Sequence, residues 1–158
     1  SYWRAQGMSF ETTGIWIFVF LFSGLPASVM TAKFFKVCPN DRTAGAVLSL
    51  LYVLGLAGWL AGGAWLLPAS VAAGAAQGAM LSAAFLLMAS HAKDSQAMLA
   101  VSTLSQGIGY LAAGAGPFIF GRLLQATGGW TAPFVFFTAV ILLWGLCVRL
   151  ADTHQTVD

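Results

Sequence analysis

Residues 102–130 read STLSQGIGYLAAGAGPFIFGRLLQATGGW, from Ser102 to Trp130. Between Asp94 and Arg122 about 27 residues, 95–121, carry no charge. At ~1.5 Å per residue they reach across a ~30 Å hydrocarbon core with room for tilt, so the segment reads as a transmembrane helix. Ser102, Gln106 and Tyr110 fall at i, i+4 and i+8, which puts three hydrogen-bonding side chains in one stripe. An unpaired amide in hydrocarbon costs on the order of several kcal/mol, which turns such a stripe toward other helices or a wet cavity. Gly107, Gly114 and Gly121 recur every seven residues beside it, with Gly109 and Gly116 one step round. Faces of this kind let a second helix come close. Pro117 removes a backbone donor and crowds the preceding turn, predicting a kink or a loosened turn.

Outward from this helix the same composition continues. Of 158 residues 59% are hydrophobic and 8% charged, and the mean hydropathy is +0.83. A soluble domain carries about 25% charged residues, so the fold class is all-α integral membrane. A net charge of +2 gives no basic surface for nucleic acid. Cys38 and Cys147 have neither paired spacing nor metal-ligand company and read as small apolar or loop thiols. No metal and no cofactor is expected. Ser1 stands first, and no basic region or cleavage site precedes the first apolar run; a secretory signal is therefore not expected, and a trimmed chain is one reading.

Taken in order, residues 1–11 form an amphipathic lead with Tyr2, Trp3, Arg4 and Glu11, expected at the outer interface. A five-span bundle over 12–150 follows, with spans at about 12–34, 44–66, 69–90, 97–121 and 130–150, and then a tail, 151–158. Pro26, with Gly24 near it, predicts a kink in the first span. Residues 43–92 hold no charge, too long a run for one helix, and the break is expected at Trp65-Leu66-Leu67-Pro68. Gly58 and Gly62, and again Gly74 and Gly78, are small-xxx-small pairs expected to pack helices. The last span, with Phe134, Phe136, Phe137, Ile141, Leu142, Leu143 and Trp144, is bulky nearly all round, which suits lipid contact.

Five spans put the ends of the chain on opposite sides. Lys33, Lys36, Arg42, Lys93 and Arg149 fall on one side, Arg4 and Arg122 on the other. The positive-inside rule makes the first side cytoplasmic and places the amino end outside. Trp3, Trp16, Trp65 and Trp130 then cluster at the outer interface, where indoles prefer to sit.

The candidate substrate-binding residues are Gln77, Gln106 and Tyr110, near the middle of the third and fourth spans, with Ser82 and Ser102 one further turn toward the cytoplasm. For each amide two readings stay open, interhelical glue and a lining for a solute path. Lys33, Lys36 and Arg42 read as topological anchors or a conformational latch, and Arg122 as a snorkelling side chain or an attractor for anions. His91 and His154 lie outside the spans as solvated side chains. No Asp, Glu, Lys or His sits deep in a span, so the sequence offers no proton-coupling carboxylate and no catalytic residues.

The run LSQGIGYLAAGAGPFIFGRLLQATGGWTAPF, Leu104 to Phe134, resembles the late helices of major facilitator transporters of the cyanate and 2-nitroimidazole transporter family. The opening RAQGMSFETTGIWIFVFLFSGLPASV, with its G-x-P at Gly24 and Pro26, is similar to the outer loop and helix eight of that family. The resemblance implies that the five spans are helices eight to twelve of a twelve-helix carrier, a partial carboxy-terminal bundle without helix seven and the amino-terminal half. It implies further that helices ten and eleven line the cavity and its gate while nine and twelve are peripheral. Lys36, Asp41 and Arg42 fall where the family fold carries a reduced loop motif, although no full G-x-x-x-D-R-x-G-R run is present. The expected function is then secondary transport of a small polar or anionic solute across the inner membrane by alternating access, gated or kinked at Pro26 and Pro117. The expected partners are the bilayer, the missing amino-terminal helices and the solute. The competing class is a non-transporting membrane scaffold or assembly subunit that uses its glycine-lined faces to bind a neighbour.

Overall fold

A computed structural model describes residues 2–151, apart from the side chain of His91. His154 and the rest of the tail from residue 152 lie outside the described residues, as does the side chain of His91, so the solvated position expected for both histidines falls there. The described residues hold six α-helices and no strand: α1 (Tyr2–Ala5), α2 (Phe10–Val37), α3 (Asp41–Ala61), α4 (Leu66–His91), α5 (Ser95–Thr127) and α6 (Thr131–Ala151). A 3₁₀ turn, Gly63–Trp65, links α3 to α4. The helices from α2 to α6 contain 28, 21, 26, 33 and 21 residues. At ~1.5 Å per residue even the shortest exceeds a ~30 Å hydrocarbon core, and all five are long and apolar enough to cross a membrane.

Local chemistry sets the ends. Thr12 N–H donates to Ser9 Oγ (3.1 Å), Thr43 N–H to Asn40 Oδ1 (2.8 Å) and Ala97 N–H to Asp94 Oδ1 (2.7 Å), so α2, α3 and α5 each begin on a side chain that satisfies an orphan donor. Gly128 closes α5 in the left-handed region, φ 63°, with its N–H donating to Leu124 O at 3.0 Å. Between α3 and α4 the break falls earlier than expected. Gly62 and Gly63 have φ of 67° and 56°, and α4 has begun by Leu66. Pro68 is the third residue of α4, where no intrahelical hydrogen bond is available to lose. The two glycines, not the proline, turn the chain. Helical structure is continuous through Pro26 in α2 and Pro117 in α5.

The helices divide into two compact units, one from the described residues of Ser1–Ala83 with Thr138–Asp158, the other Ala84–Phe137. In the first, α3 buries Ala44, Leu48, Tyr52 and Leu56, spaced by four, while α4 contributes Ala69, Ala73, Ala76, Met80 and Ala83. Glycines bring these helices together. A Cβ on Gly55 would lie 2.6 Å from that of Ala73, and one on Gly58 2.6 Å from that of Ala69. On the α6 side, a Cβ on Gly45 would lie 2.7 Å from Val148 Cγ1. In the second unit Phe120 and Trp130 meet at 6.1 Å between ring centroids, and Pro133 and Phe134 are buried at the start of α6.

Candidate functional site

In the first unit α2 and α4 cross at close range, and Gln77 sits beside the contact. A Cβ placed on Gly78 would overlap the carbonyl of Gly24, and one on Gly74 the carbonyl of Phe20 and the hydroxyl of Ser23. The two backbones therefore touch at Phe20 and Gly24 on α2 against Gly74 and Gly78, two small residues four apart on α4. Gln77 is half-buried beside this contact, its Oε1 3.6 Å from where a Gly24 Cβ would stand. Ser82, one turn further along α4, is half-buried. Around the same crossing Ser23, Ser28 and Thr31 donate to carbonyls three or four residues earlier in α2, at 2.9, 2.7 and 2.9 Å. A hydroxyl with a local acceptor can stand in hydrocarbon without desolvation cost.

The remaining residues of the expected site lie on α5, in the second unit. Gln106 Nε2 donates to Ser102 Oγ at 3.0 Å, so the stripe is partly paired along its own helix. Both are half-buried, whereas Tyr110, the next in the stripe, is 73% exposed. α5 has no buried residue, and a Cβ built at Gly107, Gly114 or Gly121 would meet no described atom within 4 Å. The packing expected of these three glycines thus has no partner among the described residues. Gly62, expected to pack as well, meets nothing within 4 Å either; its positive φ makes it a turn residue. Arg122 lies within α5, not at its end, with its guanidinium 5.7 Å from the centroid of Phe118.

One cluster in the first unit escaped the sequence. Trp59 Nε1 donates to Ser70 Oγ at 3.1 Å across the α3–α4 turn, and Ser70 is fully buried. The ring of Trp59 meets Trp3 edge-on at 5.1 Å between centroids and Phe20 at 5.4 Å. Trp3 is only 7% exposed and packs inside the unit, its indole edge-on to that of Trp59. Trp65, in contrast, is 63% exposed. Buried Trp3 Nε1, Thr13 Oγ1 and Trp16 Nε1 have no hydrogen-bond partner among the described residues. Trp59 stands three residues before Gly62 and Ser70 seven after Gly63, so no symmetry of spacing about the turn pairs them in the sequence. A groove of about 450 Å³ lies nearer the other end of the unit, lined by Thr31, Phe34, Leu48, Leu51 and Ala79 with Lys33 at its edge. None of the expected substrate residues lines it.

Over 144 residues the chain is 33% identical to a protein of Bacillus subtilis (strain 168) named uncharacterized transporter YycB. The match covers 90% of this chain and 36% of that protein, so the chain spans about a third of the length of the relative it matches. No protein-family model matches the chain, and no solved structure matches it.

Proposed function

We propose that this chain is part of a secondary transporter that moves a small polar or anionic solute across the inner membrane by alternating access, with Gln77, Gln106 and Tyr110 lining the path. The observation that carries the reading is similarity to a transporter along 90% of the chain, through all five apolar helices. The resemblance of residues 104–134 to the cyanate and 2-nitroimidazole transporters narrows it to the major facilitator class, with α2 to α6 as helices eight to twelve of the carrier. On that reading the uncovered stripe of α5, with Gln106 paired to Ser102 and Tyr110 exposed, faces the cavity between the two halves. Carriers of this kind bind solute near the bilayer midplane, where an amide or phenol in a protein-walled cavity stays hydrogen-bonded. The carrier's amino end of α2 lies outside and its carboxy end in the cytoplasm.

Uptake of small anions and polar heterocycles by the full-length protein in proteoliposomes tests this. For a transported solute, Gln106→Leu and Tyr110→Phe are expected to lower initial uptake by about tenfold each, the order of one lost hydrogen bond to a bound solute, at unchanged membrane abundance. Wild-type uptake by both variants at normal abundance contradicts the assignment of the stripe. Absence of uptake for any solute of these classes contradicts the transport reading itself.

A further inference from the structure

We infer that the groove between α3 and α6 is a binding site for an anionic glycerophospholipid, its phosphate held by Arg42 and Arg149. The groove has a volume of about 350 Å³ and belongs wholly to the first unit. Arg42 stands in the first turn of α3 and Arg149 in the last turn of α6, and both residues belong to its lining. Below them the walls are Leu50 and Val53 on α3 and Leu142 and Leu146 on α6.

Sequence spacing makes this one continuous slot. Arg42, Leu50 and Val53 lie on one face of α3, and Leu142, Leu146 and Arg149, at i, i+4 and i+7, on one face of α6. Close approach of the helices forms its floor, since a Cβ on Gly145 would stand 2.5 Å from Ser49 Oγ and Gly45 is pressed against Val148. From Arg42 to Val53 the helix rises about 16 Å at ~1.5 Å per residue, close to the ~15 Å depth of one leaflet of hydrocarbon. A soluble anion has no use for an apolar slot of that depth. A lipid with a phosphate at the arginines and an acyl chain along the leucines fits its length and its charge. A guanidinium has five donors, so a phosphate oxygen can join whatever else Arg42 bonds. None of Gln77, Gln106 and Tyr110 belongs to its lining, and it does not depend on what is transported.

Native mass spectrometry of the full-length protein in detergent, titrated with phosphatidylglycerol or with phosphatidylcholine of the same chains, tests the site. The wild-type protein is expected to retain phosphatidylglycerol preferentially. Arg42→Gln with Arg149→Gln should weaken that retention roughly thirty-fold, the contribution of two basic residues facing anionic lipid, and leave phosphatidylcholine unchanged. Leu146→Trp, which fills the slot with both arginines intact, should weaken it too. Lys33→Gln with Lys36→Gln should not. Undiminished retention in the arginine double variant or in Leu146→Trp overturns the site. An equal loss in the lysine variant overturns it in favour of diffuse attraction, and displacement of the lipid by millimolar inorganic phosphate overturns it in favour of a soluble anion.

Discussion

Gly78 has no side chain because the carbonyl of Gly24 occupies the place where a Cβ would stand. Backbone cannot move aside as the end of a flexible side chain can, so Gly78→Ala has to push α2 and α4 apart along their whole contact. Overpacking of this kind costs about 1–3 kcal/mol. Gly107→Ala, whose Cβ meets no described atom within 4 Å and which removes a poor helix former, should leave stability unchanged or slightly raised. Thermal stability of the two variants, followed by size-exclusion in detergent, is expected to fall clearly for Gly78→Ala and not for Gly107→Ala. A fall of equal size in both would mean that Gly107 has a neighbour supplied from outside these five helices. The sequence ranked these positions alike, as members of repeating glycine faces. Glycine spacing says that a close approach is possible and is silent on which helix makes it. The same blindness hid the pairing of Trp59 with Ser70, two residues whose meeting depends on the path of the turn between them.

At the scale of the element, the legible part was the number of long apolar helices, because it follows from where charge is missing. The uncharged run over 43–92 had to break once, and it does. Pro68 suggests the break in the sequence, yet it sits where a first-turn proline costs nothing. The turn instead depends on Gly62 and Gly63 at φ 67° and 56°. With a ψ of −162°, Gly62 lies in a region essentially confined to glycine, where an L-residue costs about 1–3 kcal/mol, so Gly62→Ala should destabilise the α3–α4 hairpin by roughly that amount, while Pro68→Ala should be close to neutral. Melting temperatures for the two variants separate the readings, and a larger drop for Pro68→Ala would return the turn to the proline. The lead segment shows another limit of local reading. Tyr2–Ala5 is amphipathic enough to suit an interface, but Trp3 is drawn into the unit by Trp59, a contact between residues 56 positions apart.

For the whole molecule, the proposed orientation with an outside amino end rests on five basic residues against two by the positive-inside rule. That orientation predicts a cytoplasmic position for Cys38, which caps the carboxy end of α2. In intact cells carrying the full-length protein with Cys147→Ala and no added cysteine, Cys38 should resist an impermeant thiol reagent and react after permeabilisation. Rapid labelling from outside would invert the orientation. Transport makes a further demand on the whole molecule. Of the residues expected at the site, Gln77 lies in one unit, at a helix crossing, while Ser102, Gln106 and Tyr110 share the stripe on α5 in the other. The two residues most exposed to test are therefore on α5. In the full-length protein with Cys38 and Cys147 replaced by Ser, Gln106→Cys and Ile108→Cys place thiols at nearly the same depth but about 200° apart around the helix. The reaction rate of each with a water-soluble maleimide, with and without a transported solute, is the most direct measurement. Fast, solute-protected labelling is expected at 106 and slow, solute-independent labelling at 108; equal slow labelling at both, unaffected by solute, would contradict a solute path along this stripe.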